Sequence, residues 1–140
     1  ELYLEVIIDH NKNPRNNEKL ENYTHEAIGD NPLCGDKILI QLIMKKDKIS
    51  DVKFTGSGCA ISTASASILT EEIKGKSKDE IEKLFKGFHG LVTGNDDKGG
   101  LGKLAIFEGV KKYPARVKCA TLSWHALMAA IERKEEATTE

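Results

Sequence analysis

Three residues in this 140-residue chain carry soft, ionisable sulfur: Cys34, Cys59 and Cys119. An odd number cannot close into a disulfide framework, so metal binding or thiol chemistry is the expectation for them. Each falls where one element gives way to another. Cys34 lies in Asn31-Pro-Leu-Cys-Gly-Asp36, a turn ahead of a long apolar strand. Cys59 follows Gly56-Ser-Gly58 and opens a helix, and Cys119 is read as opening the last helix after Arg116-Val-Lys118. Free N–H groups and the partial positive charge of a helix start favour a thiolate over a thiol. Glycines beside Cys34 and Cys59 allow sharp turns that expose sulfur. Asp36, two residues from Cys34, offers a carboxylate to the same place.

Three thiolates and one carboxylate are four donors, the number a tetrahedral Zn²⁺ takes. Against +2 on the metal they bring four negative charges, and Arg116 and Lys118, close to Cys119 in sequence, are the candidates to offset the excess. An iron–sulfur cluster also prefers thiolates, so the donor types leave zinc and a cluster both open. The spacing is wide, with 24 residues between the first two cysteines and 59 between the second and third, and no C-x-x-C pair. On spacing alone, a metal site competes with three unrelated cysteines and an Asp36 that merely completes a turn.

The elements that must position these residues can be read from periodicity. Tyr3, Val6, Ile7 and His10 share one helical face, and Pro14 stops the helix. Residues 15–32 are polar and turn-rich, with room for an edge strand around Glu26–Gly29. Lys37–Lys45 reads as a strand, Lys46-Asp47-Lys48 as a hairpin turn, and alternating Val52 and Phe54 as the return strand. Ile61, Ala64, Ile68 and Leu69 then share a helical face up to about Lys74, with Gly75 as the C-terminal cap. Ser77-Lys-Asp-Glu80 is a capping box opening a helix with Ile81, Leu84, Phe85 and Phe88 on one face. Residues 93–102 read as a mobile loop and about 103–112 as a short helix ending before Pro114. The last helix carries Trp124, Leu127, Met128 and Ile131 on one face, and the charged tail after Lys134 is expected to fray. Strands first and helices after give an α+β fold, a small antiparallel sheet of about three strands with helices on one face, in one domain spanning 1–140.

Composition excludes several classes. Apolar residues are 39% and charged residues 31%, which suits a folded globular chain. Lys plus Arg is 21 against 22 for Asp plus Glu, so no basic footprint for nucleic acid exists. The longest apolar run, Ile38–Met44, is broken by Gln41, and nothing reaches the length of a membrane span. Glu1-Leu-Tyr-Leu-Glu5 lacks the features of a signal peptide, and the missing initial Met suggests that a few residues precede it. A reducing cytoplasm is the expected compartment.

Other residues fit bland roles. Of His10, His25, His89 and His125, only His125 is near a cysteine in sequence, and six helical steps carry it well off the face of Cys119. It reads as a packing or surface histidine. Gly94–Gly102 with Lys103 lacks the P-loop pattern. Trp124 reads as core, and the Ala/Ser run from Ala60 to Ser67 as a surface for close approach of its helix to the sheet.

At three places the chain resembles a known family. Asn31-Pro-Leu-Cys-Gly-Asp36, Gly58-Cys-Ala-Ile-Ser62 and Arg116-Val-Lys-Cys-Ala-Thr-Leu-Ser-Trp124 are similar, in order, to the three blocks of the IscU/NifU-like iron–sulfur assembly family. The likeness extends to Asp9-His-x-Lys-Asn-Pro14 and covers nearly the whole chain. Lys118 stands where the IscU branch has a His, and the stretch between the second and third cysteines is longer; both features resemble the SufU branch. The resemblance implies an IscU-like fold and a zinc site of Cys34, Asp36, Cys59 and Cys119. It implies the role of sulfur acceptor for a SufS-type cysteine desulfurase, acting as a zinc-dependent sulfurtransferase that feeds downstream iron–sulfur assembly proteins. Cys34 is the expected acceptor, as the ligand on a Gly-flanked turn, once a desulfurase His has taken its place on zinc. Arg116 would pair with the freed thiolate or with Asp36. The alternatives are a scaffold assembling a [2Fe–2S] cluster on the same ligands, and a purely structural zinc domain.

Overall fold

The computed structural model describes residues 2–32, 35–94, 101–133 and 136–138. Helix α1 (Leu2–Lys12) ends two residues before Pro14, as the steric restriction ahead of proline requires. Three antiparallel strands follow: β1 (His25–Asn31), β2 (Asp36–Lys45) and β3 (Lys48–Ser57). The β2–β3 turn places Lys46 and Asp47 at φ 53° and 66°, the left-handed pair of a tight hairpin. Register is fixed by alternation: Ile38, Ile40 and Leu42 point inward, with Ala27 of β1 and Val52 and Phe54 of β3 beside them. Lys37 and Glu26 look outward to solvent.

Helix α2 (Ala60–Ile73) follows β3, and α3 (Lys78–Thr93) begins at the expected capping box, with Ser77 and Glu80 each accepting from the other's backbone N–H. A 3-10 helix, η1 (Gly102–Lys112), leads into α4 (Pro114–Ile131). The core is shared by the inner sheet face and these helices. Trp124 of α4, fully buried, stacks on Phe85 and Phe88 of α3 at centroid distances of 5.9 and 5.5 Å. His125 packs edge-on against Phe85 at 5.4 Å, the packing role expected of it. Gly29 of β1 lets α4 lie directly on the strand: a Cβ there would come within 3.0 Å of the Leu122 carbonyl oxygen.

Four expectations need correction. The last helix starts at Pro114, not at Cys119. Proline at the first helical position loses no hydrogen bond and has the right φ already, so it starts this helix as well as ending the previous segment. Part of the tail does not fray: β4 (Glu136–Thr138) pairs parallel with β1, so the sheet order is β3-β2-β1-β4 and β1 is interior, not an edge. The short helix expected at about 103–112 is present as η1, and its type is 3-10. The small residues of α2 serve helix contacts more than sheet contacts: Ser65 donates to the Ala120 carbonyl of α4 at 2.6 Å, and Ser67 Oγ lies 2.7 Å from His10 Nδ1 of α1. Most of the loop expected at 93–102, and Lys134 and Glu135 of the tail, lie outside the described residues. No helix of the described residues is long and apolar enough to cross a membrane.

Candidate metal centre

The β1–β2 pairing ends on Asn31 opposite Asp36, and both side chains are buried there. Asp36 is 1% exposed, a place where an ionised carboxylate needs partners. Its Oδ1 accepts the Cys59 backbone N–H at 2.9 Å. Its Oδ2 is buried and has no hydrogen-bond partner among the described residues. Cys59 is the N-cap of α2, in extended conformation, and its sulfur accepts the Ser62 N–H at 3.4 Å. Gly58 makes this meeting possible, since a Cβ on it would approach both Asp36 Oδ1 and Ser62 Oγ to 3.0 Å.

Cys119 reaches the same point from α4. It is fully buried and lies in the second turn, so the helix-start effect expected for its thiol does not act on it. The exposed Arg116, one turn earlier, acts instead. Its guanidinium hydrogen-bonds Cys119 and lies within the field of Cys59, which holds its pKa above the ordinary value. Lys118, the other expected counter-charge, is half-buried beside Cys119 in the sequence. Asn31 was not singled out by sequence reasoning. Its Nδ2 is 4.0 Å from the Cys119 sulfur and its Oδ1 is buried with no partner among the described residues. The signal was its place in the first cysteine block, three residues before Cys34.

One ligand atom each from Asp36, Cys59 and Cys119 lie within 4.8 Å of one another, the only such convergence of metal-binding side chains among the described residues. Cys34 lies outside the described residues; Gly35, at φ 71°, and Asp36 follow it in the chain. Two sulfurs and a carboxylate form a donor set suited to Zn²⁺ or an iron–sulfur cluster. A buried carboxylate close to two sulfurs, with one oxygen lacking a hydrogen-bond partner among the described residues, fits such a group, because a cation would supply the missing interaction.

An α+β sheet with a thiol–carboxylate cluster at the end of its β1–β2 pair defines the class of a candidate metal-binding module. Residues 2–135 match the family model of the NifU-like N-terminal domain, and the chain belongs to that family. It is 44% identical to the zinc-dependent sulfurtransferase SufU of Bacillus subtilis over 136 residues, covering 96% of this chain and 92% of that protein. It is 42% identical to the iron–sulfur cluster assembly scaffold protein IscU of Streptococcus pyogenes over 139 residues, covering 97% and 86%. Among solved structures, a candidate scaffold protein for the SUF system from Fervidobacterium islandicum superposes with a TM-score of 0.87 at 40% identity, over 91% of this chain and 94% of that one.

Proposed function

We propose that this protein is a zinc-dependent sulfurtransferase that accepts persulfide sulfur from a SufS-type cysteine desulfurase, in the cytoplasm, for iron–sulfur cluster biogenesis. The observation that carries the reading is the convergence of Asp36, Cys59 and Cys119, with Asp36 Oδ2 buried and lacking a partner among the described residues. The 44% identity to a protein named for this activity supports it. In this reading Cys34, Asp36, Cys59 and Cys119 hold the metal. Zinc held by these four residues would supply the charge that keeps the Cys34 sulfur a thiolate, and Cys34 would act as acceptor once released from the ion by a competing donor from the desulfurase.

The freed Cys34 thiolate then attacks the outer sulfur of the desulfurase persulfide. A new S–S bond forms at Cys34, the old one breaks, and the desulfurase sulfur leaves as a thiolate. The proton on the outer sulfur travels with it, so charge and atoms balance. Arg116, already paired with sulfur, offsets the negative charge at the site. Cys59 and Cys119, capping α2 and buried in α4, stay as fixed anchors.

The test pairs metal analysis of the purified protein with desulfurase turnover. One zinc per chain, no visible colour and stimulated turnover are expected. Cys34→Ala should abolish sulfur acceptance and leave the fold intact; full persulfide transfer to that variant would reject the assignment. A second reading, a scaffold for a [2Fe–2S] cluster, is favoured by the same thiolate set and by the likeness to proteins named as scaffolds. Visible absorbance after aerobic-free purification would show it.

A further inference from the structure

Strand β1 turns Ala27, Gly29 and Asn31 toward the core, in step with Ile38 and Ile40 of β2. At an inward position an apolar side chain is the ordinary choice, yet Asn31 puts a carboxamide there, 0% exposed. A buried amide costs stability unless it is paired. Helix α4 supplies the partner. It lies along β1 with Leu122 over Gly29, so that Cys119, one turn earlier, comes over Asn31. Asn31 Nδ2 donates to the Cys119 sulfur at 4.0 Å, the outer reach of a hydrogen bond to sulfur, and Oδ1 has no partner among the described residues. The amide turns its NH2 to the sulfur because a thiolate only accepts.

Both sulfurs of the cluster thus face an N–H from the protein. Cys59 takes the Ser62 backbone N–H at 3.4 Å, and Cys119 takes the Asn31 amide. The need is greater at Cys119. It is fully buried and too far into α4 for the helix start to help, and burial in apolar surroundings favours the neutral thiol. Arg116 answers from the solvent side and Asn31 from the interior. The amide is neutral, so it stabilises a negative sulfur without adding a cation that would repel a metal ion. Donors behind a ligand fix its orientation and tune its bond to the metal, and at thiolates they do so by drawing charge from sulfur. We propose that Asn31 is a positioning residue of the metal centre: its amide holds the Cys119 thiolate in place and sets how much charge that sulfur gives to the ion. The inference rests on the reading above in which Asp36, Cys59 and Cys119 hold a metal.

The test uses the full chain loaded with Zn²⁺ and, separately, with Co²⁺, whose thiolate charge-transfer band reports directly on the sulfurs. Asn31→Leu keeps the shape of the side chain and removes its N–H. It should weaken zinc binding by about tenfold or more, measured by competition with a chromophoric chelator. It should also move the Co²⁺ band to lower energy, because a sulfur relieved of its hydrogen bond gives up charge more readily. Asn13→Leu, an exposed asparagine bonded to Asp9, should change neither. A role confined to packing would lower the stability of the metal-free chain and leave the band in place, and that result overturns the proposal. Unchanged zinc affinity overturns it as well. If the Leu variant does not fold, wild-type protein loaded with NMR-active cadmium decides. A scalar coupling between the Asn31 Nδ2 protons and cadmium, carried through the N–H···S contact, supports the proposal, and no coupling overturns it. A wild-type chain that binds neither Zn²⁺ nor Co²⁺ would instead bring down the metal reading itself.

Discussion

The backbone N–H of Cys59 donates to Oδ1 of Asp36 across 2.9 Å, tying the start of α2 to the start of β2. One carboxylate oxygen holds the Cys59 N–H, and the other is buried with no hydrogen-bond partner among the described residues, so it is free to meet a cation in the proposed reading. A single side chain thus locates one sulfur donor and offers itself as another ligand.

Asp36→Ala should cut zinc affinity by at least about tenfold, because it removes a donor and frees Cys59 from its tether; changes in the outer shell alone typically cost 10–100-fold. Asp36→Asn keeps an acceptor for the Cys59 N–H and should retain more. Equal zinc content for wild type and Asp36→Ala, measured by elemental analysis after dialysis against a mild chelator, would remove Asp36 from the ligand set.

Arg116→Ala should leave the fold intact, since the side chain is exposed. Its loss removes the hydrogen bond and positive charge at two sulfurs, so sulfur acceptance should slow by about tenfold, as losing one charge-assisted contact predicts. Arg116→Lys should recover only part, because an ammonium cannot present the planar fork of a guanidinium. Single-turnover persulfide transfer is the measurement.

Gly29→Val should destabilise the protein by roughly 2 kcal/mol or more, as overpacking between buried elements does. The added side chain meets the Leu122 carbonyl and the Ala126 methyl of α4, at 3.0 and 3.1 Å from the Cβ position. Because α4 carries Cys119, zinc affinity should fall with stability. Chemical denaturation and metal titration of the same sample check both.

Acid should weaken the fold through its buried histidines. His10 is 2% exposed, with Nδ1 on Ser67 Oγ, and desolvation, followed by the charge of Arg15, lowers its pKa below 6.5. Burial likewise lowers His125. The unfolded chain then binds more protons than the native one as pH falls below about 6.5, so stability is present above that value and is lost on the way down. His10→Gln should flatten the decline in unfolding free energy between pH 7 and 5; an unaltered slope would acquit His10.

Much of this was legible in the sequence because the signals were local. The capping box at Ser77 and Glu80 and the hairpin at Lys46 and Asp47 each depend on a few adjacent residues. What failed was ambiguous or distant. Pro114 serves equally to end one segment and begin another, so Cys119 was assigned a helix start it does not have. The three residues of β4 carry no strand pattern of their own and exist through pairing with β1, more than a hundred residues earlier. Of the site, the donor types of Asp36, Cys59 and Cys119 could be read directly. The place of Asn31 could not, because it depends on the register that sets Asn31 against Asp36.

The hydrogen bond from Ser65 to the Ala120 carbonyl pins together the two helices that supply Cys59 and Cys119. Neither sulfur finds the other until those helices have met, and neither finds Asp36 until the sheet has formed. Metal content is therefore a gauge of maturation: a chain that has not finished assembling has nothing coherent to offer an ion, and a saturated sample certifies its own architecture.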